Sequence, residues 1–271
     1  MDYIEPICPF DASAYTGTPD AEPTGQRMNV PAMIRQLDQL IHAGRAVKAQ
    51  HFLEKRRVEA QQLGDWRAEL SILNEMMGQY RFGNKREEGF AAVREGMELI
   101  RLHHLGHTVS GATVMLNAAT TLKHFGRAEE ALPIFRHVGR VYFDNLDPGD
   151  YRFGGLYNNM AGACVDLGDY AGAERCYRMA LNVLGLGRGQ DNDMAVTWCS
   201  LAELYDKQDP LDERVGQCME RAWAHLNAED LAHDGYHALT IRKCLPCFDY
   251  FGYFLYVKEL KERLEEIRER T

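Results

Sequence analysis

The chain has 271 residues, of which 45% are hydrophobic and 26% are charged, the composition of an ordinary packed protein. Its formal net charge of −9 argues against general nucleic-acid binding, because nothing offsets phosphate repulsion over a broad surface. No apolar run approaches the roughly 20 residues that span a bilayer, and the N-terminus is acidic and interrupted by prolines, unlike a signal or transit peptide. We therefore expect a cytoplasmic protein.

Residues 1–29 form an N-terminal extension for which we predict no regular element. Pro6, Pro9, Pro19 and Pro23 interrupt it, and acidic residues are scattered between them.

From residue 30 to residue 252, one pattern recurs and predicts pairs of helices. In its clearest copy Gly168 ends a first helix, since glycine turns the chain without a Cβ penalty. Ala173 follows five residues later, small enough for a second helix to cross the first closely. The turn and the following small or apolar residue in the other copies are Gly44 and Ala49, Gly83 and Gly89 (one residue late), Gly126 and Ala131, Asp209-Pro210 and Val215, and, more weakly, Gly252 and Val257.

The C-terminal residues 253–271 predict a capping helix with one buried face. Charged residues become frequent there, and the aliphatic positions are Leu255, Val257, Leu260, Leu264 and Ile267. No sustained alternation of apolar and polar residues indicates a strand anywhere. The predicted fold class is therefore all-α.

These residues resemble the tetratricopeptide repeat, whose hallmark is a similar succession of aromatic residues, glycine and alanine. The turn glycines at 44, 83, 126 and 168 lie 39, 43 and 42 residues apart, longer than the usual period of about 34. This period and the string Leu156-Tyr-Asn-Asn-Met-Ala are similar to the subclass found in kinesin light chains and many bacterial regulatory proteins. The resemblance covers about residues 30–270 and implies a right-handed superhelical solenoid of five to six antiparallel helix pairs. It identifies a type of scaffold, not a function.

Counting nine residues back from the turn glycines finds Asn74, Asn117 and Asn159. The corresponding positions of the other copies complete a set that we call the asparagine row: Arg35, Asn74, Asn117, Asn159, Ser200 and Lys243. Asparagine inside a helix is roughly 0.7 kcal/mol less favourable than alanine, so its repetition at one position needs a compensating role. An asparagine amide donates and accepts hydrogen bonds at once, so it can pair with a peptide backbone.

In tetratricopeptide proteins this position lines the concave surface, where asparagine ladders hold extended peptides. The resemblance therefore assigns peptide binding to the asparagine row and to Asn158, which precedes Asn159. Arg81 and His124 follow two of the asparagines by seven residues and so lie on the same helix faces. We expect a groove with polar walls that favours a partner with some negative charge.

Two other interpretations stay open. Each asparagine could instead bond a neighbouring helix and order the stack, in which case the protein would be a self-assembling or adaptor protein. A third class, a thiol-redox protein, would use Cys244 and Cys247, but the chain has no second CxxC to complete a zinc site, and packing is the better explanation. His103, His104 and His107 are interpreted as surface histidines near a helix end. We predict no catalytic residue, no metal and no cofactor.

The N-terminal extension suggests one more hypothesis. Tyr3, Phe10 and Tyr15 alternate there with acidic residues, much like the ligands that kinesin-light-chain grooves accept. The extension could dock in its own groove or in that of another copy, or it could pack loosely over the first repeat. The expected partners are thus a protein or peptide ligand and a second copy of the chain, with neither nucleic acid nor membrane.

Overall fold

The computed structural model describes residues 27–270, except for the side chains of His42 and Arg270, and every regular element in that range is helical. It contains twelve α-helices and one short 3-10 helix, Leu105–His107, between α4 and α5. The helices are α1 Val30–His42, α2 Ala46–Leu63, α3 Trp66–Phe82, α4 Arg86–Leu102, α5 Val109–His124, α6 Ala128–Asn145, α7 Arg152–Asp166, α8 Tyr170–Leu184, α9 Asp191–Gln208, α10 Arg214–Leu226, α11 Gly235–Tyr250 and α12 Phe254–Arg270. None of these helices combines the length and the apolarity that crossing a bilayer requires.

The described residues form two compact units, 27–145 and 146–270. The first unit holds the helix pairs α1–α2, α3–α4 and α5–α6, and α3 also packs against α2 and α5. The second holds α7–α8, α9–α10 and α11–α12, and α9 also packs against α7, α8 and α11. The all-α class and the expected five to six helix pairs are confirmed for this part of the chain.

The turns inside the pairs follow the predicted glycines with one exception. Gly44, Gly126, Gly168 and Gly252 adopt positive φ values between 66° and 82°, a left-handed conformation that other residues reach only with strain. In the second pair Gly83 has an ordinary φ of −82°, and Asn84 takes the left-handed conformation at φ 51°. Asn84 is therefore the residue equivalent to Gly126, which explains why Gly89 seemed one residue late.

Small residues sit where the paired helices cross. Ala49, Ala131 and Ala173 are completely buried. At Gly89, the equivalent position, an added Cβ would lie 2.8 Å from the ring of Phe125 at the end of α5, so this glycine allows α4 to approach the next helix pair closely. Around these contacts each unit closes over its own apolar core, with Met77 and Phe135 in the first and Leu201 and Phe248 in the second.

The last helix differs from the predicted cap in one respect. Val257, Leu260 and Ile267 are buried as expected, whereas Leu255 is 82% exposed. Arg263 takes a buried position instead, where its guanidinium donates to the backbone oxygen of Leu226 at 2.6 Å. The helix thus buries one face, but that face begins two residues later than predicted and includes a charged side chain.

Candidate interaction surface

The asparagine row lies on the first helix of each pair. Arg35 is exposed on α1, and Asn74 and Asn117 are buried on α3 and α5 of the first unit. In the second unit Asn158 and Asn159 are buried on α7, Ser200 is buried on α9 and Lys243 is half-buried on α11.

Two polar bridges join α3 and α5 in the first unit. The amide nitrogen of Asn117 donates to the amide oxygen of Asn74 at 2.7 Å. The guanidinium of Arg81 donates to the hydroxyl of Thr121 at 2.8 Å and lies 3.4 Å from the backbone oxygen of Asn117. Arg81 is buried, so this predicted wall residue links two helices. His124 is exposed and its ring stands edge-on to Phe125, with 4.8 Å between centroids.

Glu75 also belongs to this polar cluster, although counting back from the turn glycines does not select it. It lies nine residues before Asn84, the true left-handed position of its pair, and accepts a hydrogen bond from Asn74 Nδ2 at 3.2 Å. Counting from Gly83 selects Asn74, and counting from Asn84 selects its neighbour. Asn74 and Glu75 of α3 together therefore correspond to the single position of Asn117 in α5.

The second unit repeats the bridge between first helices with a different residue. Asn158 Nδ2 donates to the Thr197 hydroxyl on α9 at 2.9 Å and to the Gly154 carbonyl at 3.1 Å. Asn159 Nδ2 donates to the Gly155 carbonyl of its own helix at 3.0 Å. Of the adjacent pair, it is Asn158 that links α7 to α9. The sequence pattern had put Asn159 in the row and included Asn158 only as its neighbour.

The amides of Asn117 and Asn158 are only half used. Their Oδ1 atoms are buried and accept no hydrogen bond from any described residue. A buried acceptor without a donor costs about 1–3 kcal/mol. Each oxygen has hydrogen-bonding capacity left, but because it is buried, a partner's backbone N–H reaches it only after neighbouring side chains move aside.

A third polar set joins α9 and α11. Tyr236 donates from its hydroxyl to Asp193, and His237 Nδ1 lies 2.9 Å from Asn192 Oδ1. Burial, followed by the nearby Asp193 carboxylate, raises the pKa of Tyr236. Burial lowers the pKa of His237 to about 4, with His233 and Arg263 adding to the effect. Spacing from the turn glycines could not find this set, because its residues lie at the start of their helices.

Ser200 completes the row differently from the asparagines. Burial raises the pKa of the Tyr177 phenol on α8, and the Ser200 hydroxyl partly offsets this effect. Ser200 therefore acts on the second helix of the preceding pair and not on a neighbouring first helix. The two remaining row residues, Arg35 on α1 and Lys243 on α11, have long, charged side chains.

The thiols of Cys244 and Cys247 pack in the interior and are not an accessible pair. Cys244 and Cys247 are buried in α11, and Cys247 Sγ lies 3.6 Å from both the Cys199 carbonyl oxygen and Met219 Sδ. Hydrogen bonds with the Cys244 and Cys247 thiols, together with burial, raise the pKa of Cys199. A protonated and buried thiol is a poor nucleophile. Within residues 27–270, no three His, Cys, Asp or Glu side chains converge as metal ligands.

The three predicted surface histidines differ in their surroundings. His103 stacks on Trp66, with ring centroids 3.9 Å apart and planes 9° from parallel, while His104 and His107 are exposed. Burial lowers the pKa of His103. This histidine is better described as a half-buried stacking partner.

Comparison with known proteins shows which solved structures have a similar fold. No protein-family model and no curated protein sequence matches the chain. Among solved structures, BtubC (BKLC) from P. vanneervenii is similar over 90% of this chain and 92% of its own, with a TM-score of 0.52 and 15% identity. A Podosopora anserina protein described as a kinesin light chain with nearly identical TPR-like repeats is similar over 73% of this chain and 94% of its own, with a TM-score of 0.51 and 14% identity. A single-substitution variant of that protein gives a TM-score of 0.52, again at 14% identity, over 73% of this chain and 93% of that one. The chain has the fold of the tetratricopeptide-like repeat proteins.

Proposed function

We propose that the protein is a non-catalytic scaffold that binds a protein partner by holding extended backbone against the row asparagines of each unit. The fold supports the general class, since helix-pair repeats expose long faces on which a partner can lie. The unsatisfied amide oxygens of Asn117 and Asn158 are the observation that carries the specific form of the proposal.

Backbone chemistry explains why these residues suit such a role. An extended segment presents N–H and C=O groups at every residue, and about 3.3–3.6 Å of chain per residue separates them. An amide that already donates to a neighbouring helix is held in one orientation, so its oxygen can accept a backbone N–H once the groups that cover it move aside. Asn117, held by Asn74, and Asn158, held by Thr197, both meet this condition.

The same bonds also support the purely structural alternative. Asn74, Asn117 and Asn158 each bond directly to a neighbouring side chain, and the bonds between α3 and α5 and between α7 and α9 order the helices whether or not a ligand is present. The two roles differ in one respect: a structural role is complete once the helices are joined, whereas ligand binding uses the oxygen that the bridge leaves idle.

The experiment is a pull-down from host lysate with the wild-type protein and with a variant that carries Asn74→Ala, Asn117→Ala and Asn158→Ala. Asn182→Ala, an exposed asparagine on α8, serves as the matched control. We expect a partner that the wild type and the control retain and that the folded triple variant loses. Equal retention by all three proteins would show that the row is architecture.

The docking of the N-terminal extension stays a prediction, because Tyr3, Phe10 and Tyr15 lie outside the described residues. If residues 1–29 occupy the proposed peptide site, their deletion raises the affinity for an added ligand peptide. Unchanged affinity would eliminate self-docking while leaving the proposed function intact.

A further inference from the structure

An apolar patch is exposed at the turn between α11 and α12. Tyr250 is 72% exposed, Phe254 is 67% exposed and Leu255 is 82% exposed. We call these three residues the turn patch. Single exposed apolar residues are common on protein surfaces, but three within six residues of one turn are a concentration that suits a partner contact.

The turn patch stands on a fixed base. The Tyr256 ring stacks on Trp223 of α10 at 3.9 Å, with the planes 6° from parallel, and it meets Phe248 edge-on at 6.0 Å. The Tyr250 hydroxyl donates to Asp206 on α9 at 3.1 Å. Because its neighbours are packed in this way, the turn patch is exposed on an ordered turn and not at a frayed helix end.

Acidic residues accompany the turn patch. Asp206 is bonded to it, and Asp249 precedes Tyr250 in the chain. The loop that follows α9 adds Asp209, Glu213 and Asp212, the last of which is paired with Arg214 at 2.6 Å, and Lys207 lies at the end of that helix. A partner for this surface should combine apolar side chains with positive charge.

The first helix pair of the same chain has this combination on α2. Val47 is 81% exposed and Val58 is 52% exposed, and their spacing of eleven residues puts them on one helix face three turns apart. Lys48 and Lys55 are exposed beside them, and neither forms an ion pair among the described residues. Residues 30–63 contain six Lys or Arg against three Asp or Glu, in a chain whose net charge is −9.

We propose that the chain associates with itself head to tail, with the α2 face of one copy against the turn patch of a second copy. The two surfaces differ, so the contact is heterologous, and a dimer leaves the α2 face of one copy and the turn patch of the other free. Val47 and Val58 cover the turn patch, while Lys48 and Lys55 approach the carboxylates around it. The contact is smaller than a permanent interface requires, so the association is weak, concentration-dependent and sensitive to salt.

Sedimentation equilibrium at low salt tests the proposal with two variants. One carries Lys48→Glu and Lys55→Glu on α2, and the other carries Phe254→Lys and Leu255→Lys in the turn patch. All four side chains are exposed, so the fold is retained, and circular dichroism checks this. Leu186→Lys, at an exposed leucine in the loop after α8, is the control.

We expect the average mass of the wild type and of the control to rise with concentration, and each of the two variants alone to remain a monomer. An equal mixture of the two variants should form dimers, because each contributes the surface that the other has lost. The proposal is overturned if the wild type stays monomeric at high concentration and low salt, if the control loses association as the variants do, or if the mixture stays monomeric.

Discussion

The side-chain amide of Asn117 in α5 donates a 2.7 Å hydrogen bond to the side-chain amide of Asn74 in α3, 43 residues away. Both residues are buried, and the bond joins the first helices of two successive helix pairs. Asparagine recurs nine residues before the turn glycines, and this bond is a direct contact between two of those asparagines. The asparagines that recur along the chain are, at this point of the first unit, bonded to one another.

A double-mutant cycle on Asn74 and Asn117 should show strong coupling. Each single change to alanine leaves the other amide with one partner fewer in a buried site, which costs about 1–3 kcal/mol of the free energy of unfolding. The double change removes both groups, so its cost should be smaller than the sum of the two by about 1 kcal/mol. Urea unfolding of the four proteins measures this. Strict additivity would mean that the bond does not contribute in solution.

The turn residues should differ in their response to alanine. Gly126→Ala forces a side chain into a φ of 82°, and nothing lies within 4 Å of the new Cβ, so the cost is backbone strain of about 1–2 kcal/mol. Gly106→Ala also meets open space, but at an ordinary φ, and should leave the free energy of unfolding within about 0.5 kcal/mol. Asn84→Gly should be harmless, since glycine adopts the same left-handed conformation freely. If Gly126→Ala and Gly106→Ala shift the urea midpoint equally, Gly126 is not the strained position.

His237 should make stability depend on pH between about 6.5 and about 4. Its Nδ1 faces Asn192 Oδ1, and its Nε2 lies 3.4 Å from the Arg263 guanidinium, which repels a proton there. The unfolded histidine takes up a proton below its ordinary pKa of 6.5, but the folded one does so only near its pKa of about 4. The free energy of unfolding therefore falls as pH falls through this window.

The test for His237 compares the slope of stability against pH in the wild type and in His237→Gln. Carboxylates that titrate in the same range are shared by both proteins, so the difference belongs to the histidine. We expect the variant to have the shallower slope between pH 6.5 and pH 4. Equal slopes would place the pKa of His237 near its ordinary value.

The described thiols should be unreactive in the folded protein. Cys164, Cys176, Cys199, Cys218, Cys244 and Cys247 are all buried, and burial raises the pKa of Cys218 to about 12. In a Cys8→Ser background, an aromatic disulfide reagent should titrate almost no thiol until urea unfolds the chain. Rapid labelling of two thiols in the native protein would instead support the redox interpretation of Cys244 and Cys247.

Much of the fold could be predicted because its signals are local. Positive φ at Gly44, Gly126 and Gly168 demands glycine, and Ala49, Ala131 and Ala173 mark close helix crossings, so the helix pairs can be recognised from spacing. The exception is informative. Asparagine also tolerates the left-handed conformation, so at Asn84 the adjacent Gly83 misplaced the turn by one residue.

The candidate site was harder to predict because its contacts are between helices. Spacing selects the helix face on which Asn117 and Asn158 lie, but it does not show that they bond Asn74 and Thr197. It also misses Glu75, which depends on the true turn register, and the buried Arg263, whose partners lie in two other segments. Such pairings depend on the relative axial position of neighbouring helices, which a single sequence does not specify.

We propose that the asparagine amides bind a partner's backbone in addition to joining helices, and one pair of variants separates the two roles. Asn158→Ala and Thr197→Val remove the same bridge between α7 and α9, but only the first removes the Asn158 oxygen. The measurement is isothermal titration of the partner segment retained in the pull-down against both variants and the wild type. We predict that Asn158→Ala weakens binding about tenfold or more, in keeping with the loss of one buried backbone hydrogen bond, and that Thr197→Val stays close to the wild type. Equal weakening by both variants, or by neither, would contradict the claim.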